Sequence, residues 1–157
     1  MPTLNEMVAD FLAQKRIAVA GVSRTEKASP GNAILKKLRG AGYEVFPVNP
    51  NADGIEDMRC YHRLAEIPGG VGGVVVCTPP AASEQVVREC AELGIKRVWM
   101  HRSFGEGSVA PQAVELARKQ GMSVIAGACP MMYVKPVDFG HACIRWLLQI
   151  TGGLPKA

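Results

Sequence analysis

The stretch from Arg16 to Leu38, RIAVAGVSRTEKASPGNAILKKL, admits few folds. Ile17 to Ala20 is an apolar run short enough to be a buried strand. Gly21 opens a loop, and Ser29-Pro30 has the form of a helix start, serine at the N-cap and proline at the first helical position. A strand that runs through a glycine turn into a helix N-terminus is the opening unit of a parallel α/β sheet. It also makes an anion site: the first turn of the helix leaves backbone N–H groups free, and the helix dipole adds partial positive charge there. The stretch therefore points to a phosphate-bearing ligand. It is silent on whether chemistry follows.

The rest of the chain repeats the alternation. Leu4, Met7, Val8, Phe11 and Leu12 share one helical face, with Thr3 and Glu6 spaced as a capping box. The second helix is expected over Pro30 to Ala41, with Ile34, Leu35 and Leu38 inward and Gly40 or Gly42 ending it. Tyr43 to Val48 reads as a second strand, closed by Asn49-Pro50. Asn51 to Ile67 reads as irregular, with a helical turn at Leu64 to Ile67. Gly72 to Cys77, GGVVVC, is a continuous β-branched run suited to a strand buried on both faces. A helix from Thr78-Pro79-Pro80 to Leu93 follows, capped by Gly94. Val98 to His101 and Met122 to Ala126 are the fourth and fifth strands, with a helix at Pro111 to Gln120 between them. Asp138 to Ile150 is the last helix. The expected fold is one α/β domain: a Rossmann-like three-layer sandwich of about five parallel strands with helices on both faces, the terminal helices packed on it. Ligands of such sheets lie beyond the carboxyl ends of the strands, which here means Gly21 to Asn32, Asn49-Pro50, Thr78 to Pro80, His101 to Gly107 and Gly127 to Met132.

Composition narrows the partners. The 157 residues suit one domain, and 48% hydrophobic with 20% charged residues is a globular balance. No apolar run approaches the ~20 residues of a membrane span. MPTLNEMVADFL is amphipathic and acidic, unlike a signal peptide. The five cysteines are an odd number without a CxxC pair, which suggests reduced thiols and a cytoplasmic setting. The net charge of +4 is scattered, and aromatic residues are 6%. Neither a basic run nor a stacking surface for nucleic acid is present. The mild positive charge suits a small anion.

NAD is the first ligand to weigh, and two features oppose it. The first loop lacks GxGxxG, reading Gly21-Val22-Ser23-Arg24 with the next glycine at Gly31. The second strand ends in Asn49 rather than an acidic residue that would hold a ribose hydroxyl. No GxxxxGK[ST] is present either. The loop instead offers Ser23, Arg24, Lys27 and Ser29, followed by Pro30 and Asn32. Arg24 and Lys27 can pair with phosphate oxygens, and each is equally readable as surface charge. Thr78-Pro79-Pro80 is a helix start that also makes a stiff wall poor in donors, against which a neutral chain can lie.

GVS after the first strand, VNP after the second, VVVCTPP at the third, ELGIKRVWM at the fourth and GACPMMY after the fifth form an ordered set. In that order the chain, from about Lys15 to Pro136, resembles the small coenzyme A-binding proteins, which are similar to the N-terminal domain of the succinyl-CoA synthetase α subunit. The resemblance implies that the nucleotide end of coenzyme A, or of an acyl-CoA, sits on Gly21, Val22, Ser23 and Arg24. It implies contacts from Val48, Asn49 and Pro50, and a neighbouring segment at Thr78, Pro79 and Pro80. Coenzyme A suits these residues, with phosphates for Arg24 and Lys27 and an uncharged arm for the prolines. His101-Arg102-Ser103-Phe104-Gly105 departs from the family pattern. The synthetase's phosphorylated histidine belongs to a second domain without counterpart in these residues, so the resemblance implies binding and not ligation.

Catalytic candidates are sparse. His62 is expected at the surface, His101 at the ligand edge in a structural or solvent-facing role, and His141 in a helical pair with Asp138. No metal-ligand spacing occurs. Cys129 is a candidate for a mixed disulfide with a thiol cofactor, and is better explained as a small buried residue. Met131, Met132, Trp99 and Trp146 are expected in the core. The functions that remain are a coenzyme A-binding module without catalysis, a small NAD(P)-linked oxidoreductase or CoA-transferase or ligase subunit on the same fold, and an interaction module with a vestigial site.

Overall fold

The computed structural model describes residues 1–102 and 106–156. Five parallel strands form one sheet: β1 (Arg16–Ala20), β2 (Glu44–Val48), β5 (Gly73–Val76), β6 (Arg97–Met100) and β7 (Ser123–Ala126), in the order β2-β1-β5-β6-β7. The five helices are α1 (Leu4–Leu12), α2 (Pro30–Gly40), α3 (Pro80–Glu92), α4 (Pro111–Lys119) and α5 (Phe139–Thr151). The sandwich expected from the alternation is present, with each boundary within about two residues of its expected place.

Strand alternation decides what each face of the sheet covers. Ile17, Val19, Val75, Trp99 and Ile125 point to one side and meet α1 and α2. Ala18, Ala20, Val74, Val76, Val98 and Met100 point to the other and meet α3 and α4. β1 and β5 are buried on both faces, as continuous apolar strands of a covered parallel sheet must be. Trp99 is fully buried. Its indole donates to the Gly127 carbonyl at 3.0 Å, and the ring of Phe11 meets it edge-on at 5.4 Å.

The capping chemistry is realised at both predicted starts. Thr3 and Glu6 close a capping box on α1, and Ser29 caps α2 with Pro30 behind it. The segment expected to be irregular contains an antiparallel hairpin, β3 (Gly54–Ile55) with β4 (Met58–Arg59). Strands of two residues are too short to show alternation. Trp146 is not in the core: it is 63% exposed on α5, a helix that fully buries none of its residues. Among the described residues no helix is long and apolar enough to cross a membrane.

Candidate functional site

The sheet order places a switch point between β1 and β5. One chain connection leaves toward β2 and the others toward β6 and β7, so the loops beyond β1 and β5 diverge and open a crevice. Two glycines shape its floor. Gly21 has φ +96°, and a Cβ there would stand 2.5 Å from the Cys77 carbonyl carbon. A Cβ on Gly31 would stand 2.8 Å from the Gly21 carbonyl oxygen. The first loop therefore lies directly on the end of β5, and the first turn of α2 lies directly on the loop. These are the close approaches for which nucleotide-binding loops use glycine, here with nine residues between the pair rather than in a compact GxGxxG.

Side-chain amides lock the loop. Asn32 accepts from the Ser23 N–H at 2.8 Å and donates to the Ser23 carbonyl at 2.7 Å. Asn49 donates to the Val22 carbonyl at 2.7 Å and accepts from the Asn51 N–H at 2.8 Å. The Ser23 hydroxyl accepts from the Glu26 N–H at 2.9 Å. Thr78 and Ser83 pair through their hydroxyls at 3.0 Å, and Ser83 donates to the Ser108 carbonyl at 2.6 Å. These buried and half-buried polar groups are satisfied by the protein itself, which holds the backbone N–H groups of the rim in place.

Two clefts flank the loop. The larger, about 540 Å³, has Ala20, Gly21 and Val22 from the end of β1, Val48, Asn49 and Pro50 from the end of β2, and Thr78 and Pro79 from the end of β5. The α3 residues Ala82, Gln85, Val86 and Glu89 form its wall, and His62, Arg63 and Ala65 form its lip. The smaller, about 330 Å³, lies between Ser23, Arg24, Lys27 and Asn32 of the loop and Gly54, Ile55 and Glu56 of the hairpin. The expected site residues thus divide into two groups. Ser29, Pro30 and Pro80 line neither cleft; they cap or begin α2 and α3.

The α3 wall and the lip were not among the binding residues expected from the sequence, in which His62 reads only as a surface residue. Ala82, Gln85, Val86 and Glu89 do carry a signal, the i, i+3, i+4, i+7 spacing of one helical face. His62 carries none, since only the tertiary fold brings its Nε2 to 2.7 Å from Asp53 Oδ1. Glu89 accepts from the Ala65 N–H at 3.0 Å and so ties the lip to α3. Arg63 makes no ion pair among the described residues. Glu89 and Glu92 also line the large cleft, so a negatively charged group is disfavoured beside them.

Reactive groups near the rim are quiet. Burial pushes the Cys129 thiol up to about 11 and the Cys77 thiol higher still. Burial disfavours the thiolate at both, in keeping with Cys129 as a small buried residue. Met132 is buried and Met131 packs beside it, as expected for core residues. His101 is buried, not solvent-facing, and burial pulls its pKa below the usual imidazole value. Ser103, Phe104 and Gly105, named within the fourth-strand tail, lie outside the described residues. Among the described residues no group of three His, Cys, Asp or Glu side chains is placed to hold a metal ion.

A parallel sheet of order β2-β1-β5-β6-β7 with a glycine loop and a cleft at its switch point is the architecture of nucleotide-cofactor domains. Within that class, the chain belongs to the CoA binding domain family, whose model matches residues 15–135. It is 33% identical over 123 residues to the ADP-forming acetate–CoA ligase II of Archaeoglobus fulgidus, covering 73% of this chain and 18% of the ligase. The chain thus spans under a fifth of that relative. It is 30% identical over 129 residues to the uncharacterized protein YneT of Bacillus subtilis, covering 82% of this chain and 91% of that one. Among solved structures, a hypothetical protein from Pyrococcus horikoshii superposes with a TM-score of 0.73 at 26% identity, over 81% of this chain and 87% of that one.

Proposed function

We propose that this protein binds coenzyme A or an acyl-CoA at the carboxyl rim of its sheet and catalyses no reaction of its own. The observation that carries the proposal is the convergence of Gly21-Val22, Asn49-Pro50 and Thr78-Pro79 on one cleft, in a chain of the CoA binding domain family. In this proposal the phosphates lie over the first loop, where backbone N–H groups and the α2 dipole attract them. Arg24 and Lys27 extend that field into the smaller cleft, and Arg63 adds a positive charge at the lip of the larger one. Pro79, Ala82 and Val86 offer an apolar wall to the uncharged arm. Burial of Cys77 and Cys129 disfavours their thiolates, which supports binding over covalent chemistry at the rim.

Calorimetric titration with coenzyme A, acetyl-CoA, NAD, NADP and ATP in parallel tests this. Coenzyme A or its acetyl ester is expected to bind and NAD not to bind; the reverse order would overturn the proposal. Removing both cations, with Arg24→Ala and Lys27→Ala, is expected to weaken coenzyme A about 10- to 100-fold, the range for losing charge-assisted bonds. If they hold the 3′-phosphate, dephospho-coenzyme A is spared. Equal losses place them on the pyrophosphate, and no loss makes them bystanders.

The likeness to an ADP-forming acetate–CoA ligase favours one second possibility, a cofactor-binding unit of a larger ligase. Incubation with acetyl-CoA, ADP and phosphate, with and without the remaining parts of such a ligase, separates the two. A unit of a larger ligase yields acetate, ATP and free coenzyme A only when the rest is added, and a free-standing binding protein yields none in either case. Turnover by this chain alone would overturn the proposal that it catalyses no reaction of its own.

A further inference from the structure

The last helix carries an apolar stripe that the fold leaves uncovered. Ile144 and Leu148 of α5 pack on the core, and the Arg145 guanidinium sits 4.6 Å from the ring centre of Tyr133. On the opposite side Phe139 is 85% exposed, Trp146 63%, Ile150 60% and Leu147 44%. Exposed Cys143 lies among them. These five recur at spacings of four, three, one and three residues, so they form one straight stripe along the helix.

We infer that this stripe is the contact between two copies of the chain, paired α5 to α5 across a two-fold axis. The register carries the inference. A two-fold axis at the midpoint of positions 144 and 145 sets Phe139 opposite the partner's Ile150, and Cys143 opposite the partner's Trp146. The stripe is therefore complementary to itself when run antiparallel, which is what an isologous interface requires. Charge agrees: the helix residues that flank the stripe, Gly140, Ala142, Gln149 and Thr151, are uncharged, and antiparallel helix dipoles attract. Area agrees as well. The four large side chains expose on the order of 500 Å² per copy, and pairing buries about 1,000 Å² before the flanking residues are added, the threshold for a specific contact. The carboxyl-rim clefts take no lining residue from α5, so pairing leaves both open.

Sedimentation equilibrium of the full chain over a micromolar concentration series tests the inference, with Trp146→Glu and Phe139→Glu alongside. The natural chain is expected to be a dimer, and either variant to weaken it at least about 100-fold, as for a central aromatic anchor. Unchanged circular dichroism shows that the variants fold. A short bismaleimide is expected to link Cys143 to the partner's Cys143, and Cys143→Ser to abolish the link. A chain that stays monomeric throughout would assign the stripe to a different occupant and overturn the inference. So would a dimer that both Glu variants leave intact.

Discussion

The first and last helices make an instructive pair. Both are amphipathic, both begin at an acid-assisted cap, and each carries a phenylalanine in its apolar stripe. α1 lays Met7, Val8 and Phe11 on the sheet, with Phe11 against Trp99 and 2% exposed. α5 touches the body mainly at the 3-10 turn Pro130–Met132 and turns Phe139 outward. The same pattern in sequence thus has two outcomes. A stripe records that a helix has a face to bury, and the rest of the molecule decides whether the same chain buries it.

Three measurements press on that contrast. The largest effect is expected from Phe11→Ala, which removes a ring from a filled core and should cost about 3–5 kcal/mol in denaturant unfolding. A loss under 1 kcal/mol would mean that α1 is as loosely attached as α5.

Acid should separate the helices next. Hydrogen bonds from the His141 backbone and ring hold the Asp138 carboxyl below its usual 3.8, and bonds from Thr3 hold Glu6 below its usual 4.5. Both folded values are depressed. Each contribution is therefore complete above those ordinary values and lost as pH falls through the lowered ones. Amide protection in α5 is expected to fall on that descent, while α1, held by burial, keeps its own. Parallel loss in both helices would break the contrast.

The smallest effect is expected from Phe139→Ala, within about 0.5 kcal/mol at dilutions where the chain is monomeric, as for an exposed side chain. A larger loss would place Phe139 in the fold rather than on a contact surface.

Much of the fold was legible because local chemistry repeats it. The GVVV run, the Ser29-Pro30 start and the glycines after α2, α3 and α4 mark elements without help from distant residues. The hairpin at Gly54 to Arg59 was not legible, since its turn places Glu56 at φ +54° in a residue type that gives no warning. Of the candidate site, the three rim segments were readable from topology. The division into two clefts was not, nor was the lip at His62 and Arg63. Asn32 and Asn49 were marked as ligand contacts and do line the clefts, but the bonds by which their amides fasten the loop were not readable. The missing GxGxxG is explained by Gly21 and Gly31, which meet through space although nine residues separate them.

The order of strands and helices, their caps and the glycine that lets β1 turn into α2 were determined by the sequence alone, because each rests on backbone preferences and periodicities within a few residues. Which loop residues face the cleft, which amides are already bonded, and which apolar stripe stays open were decided only by the tertiary structure. Those outcomes depend on where segments far apart in the chain come to rest, and a pattern within one segment carries no record of its neighbour in space.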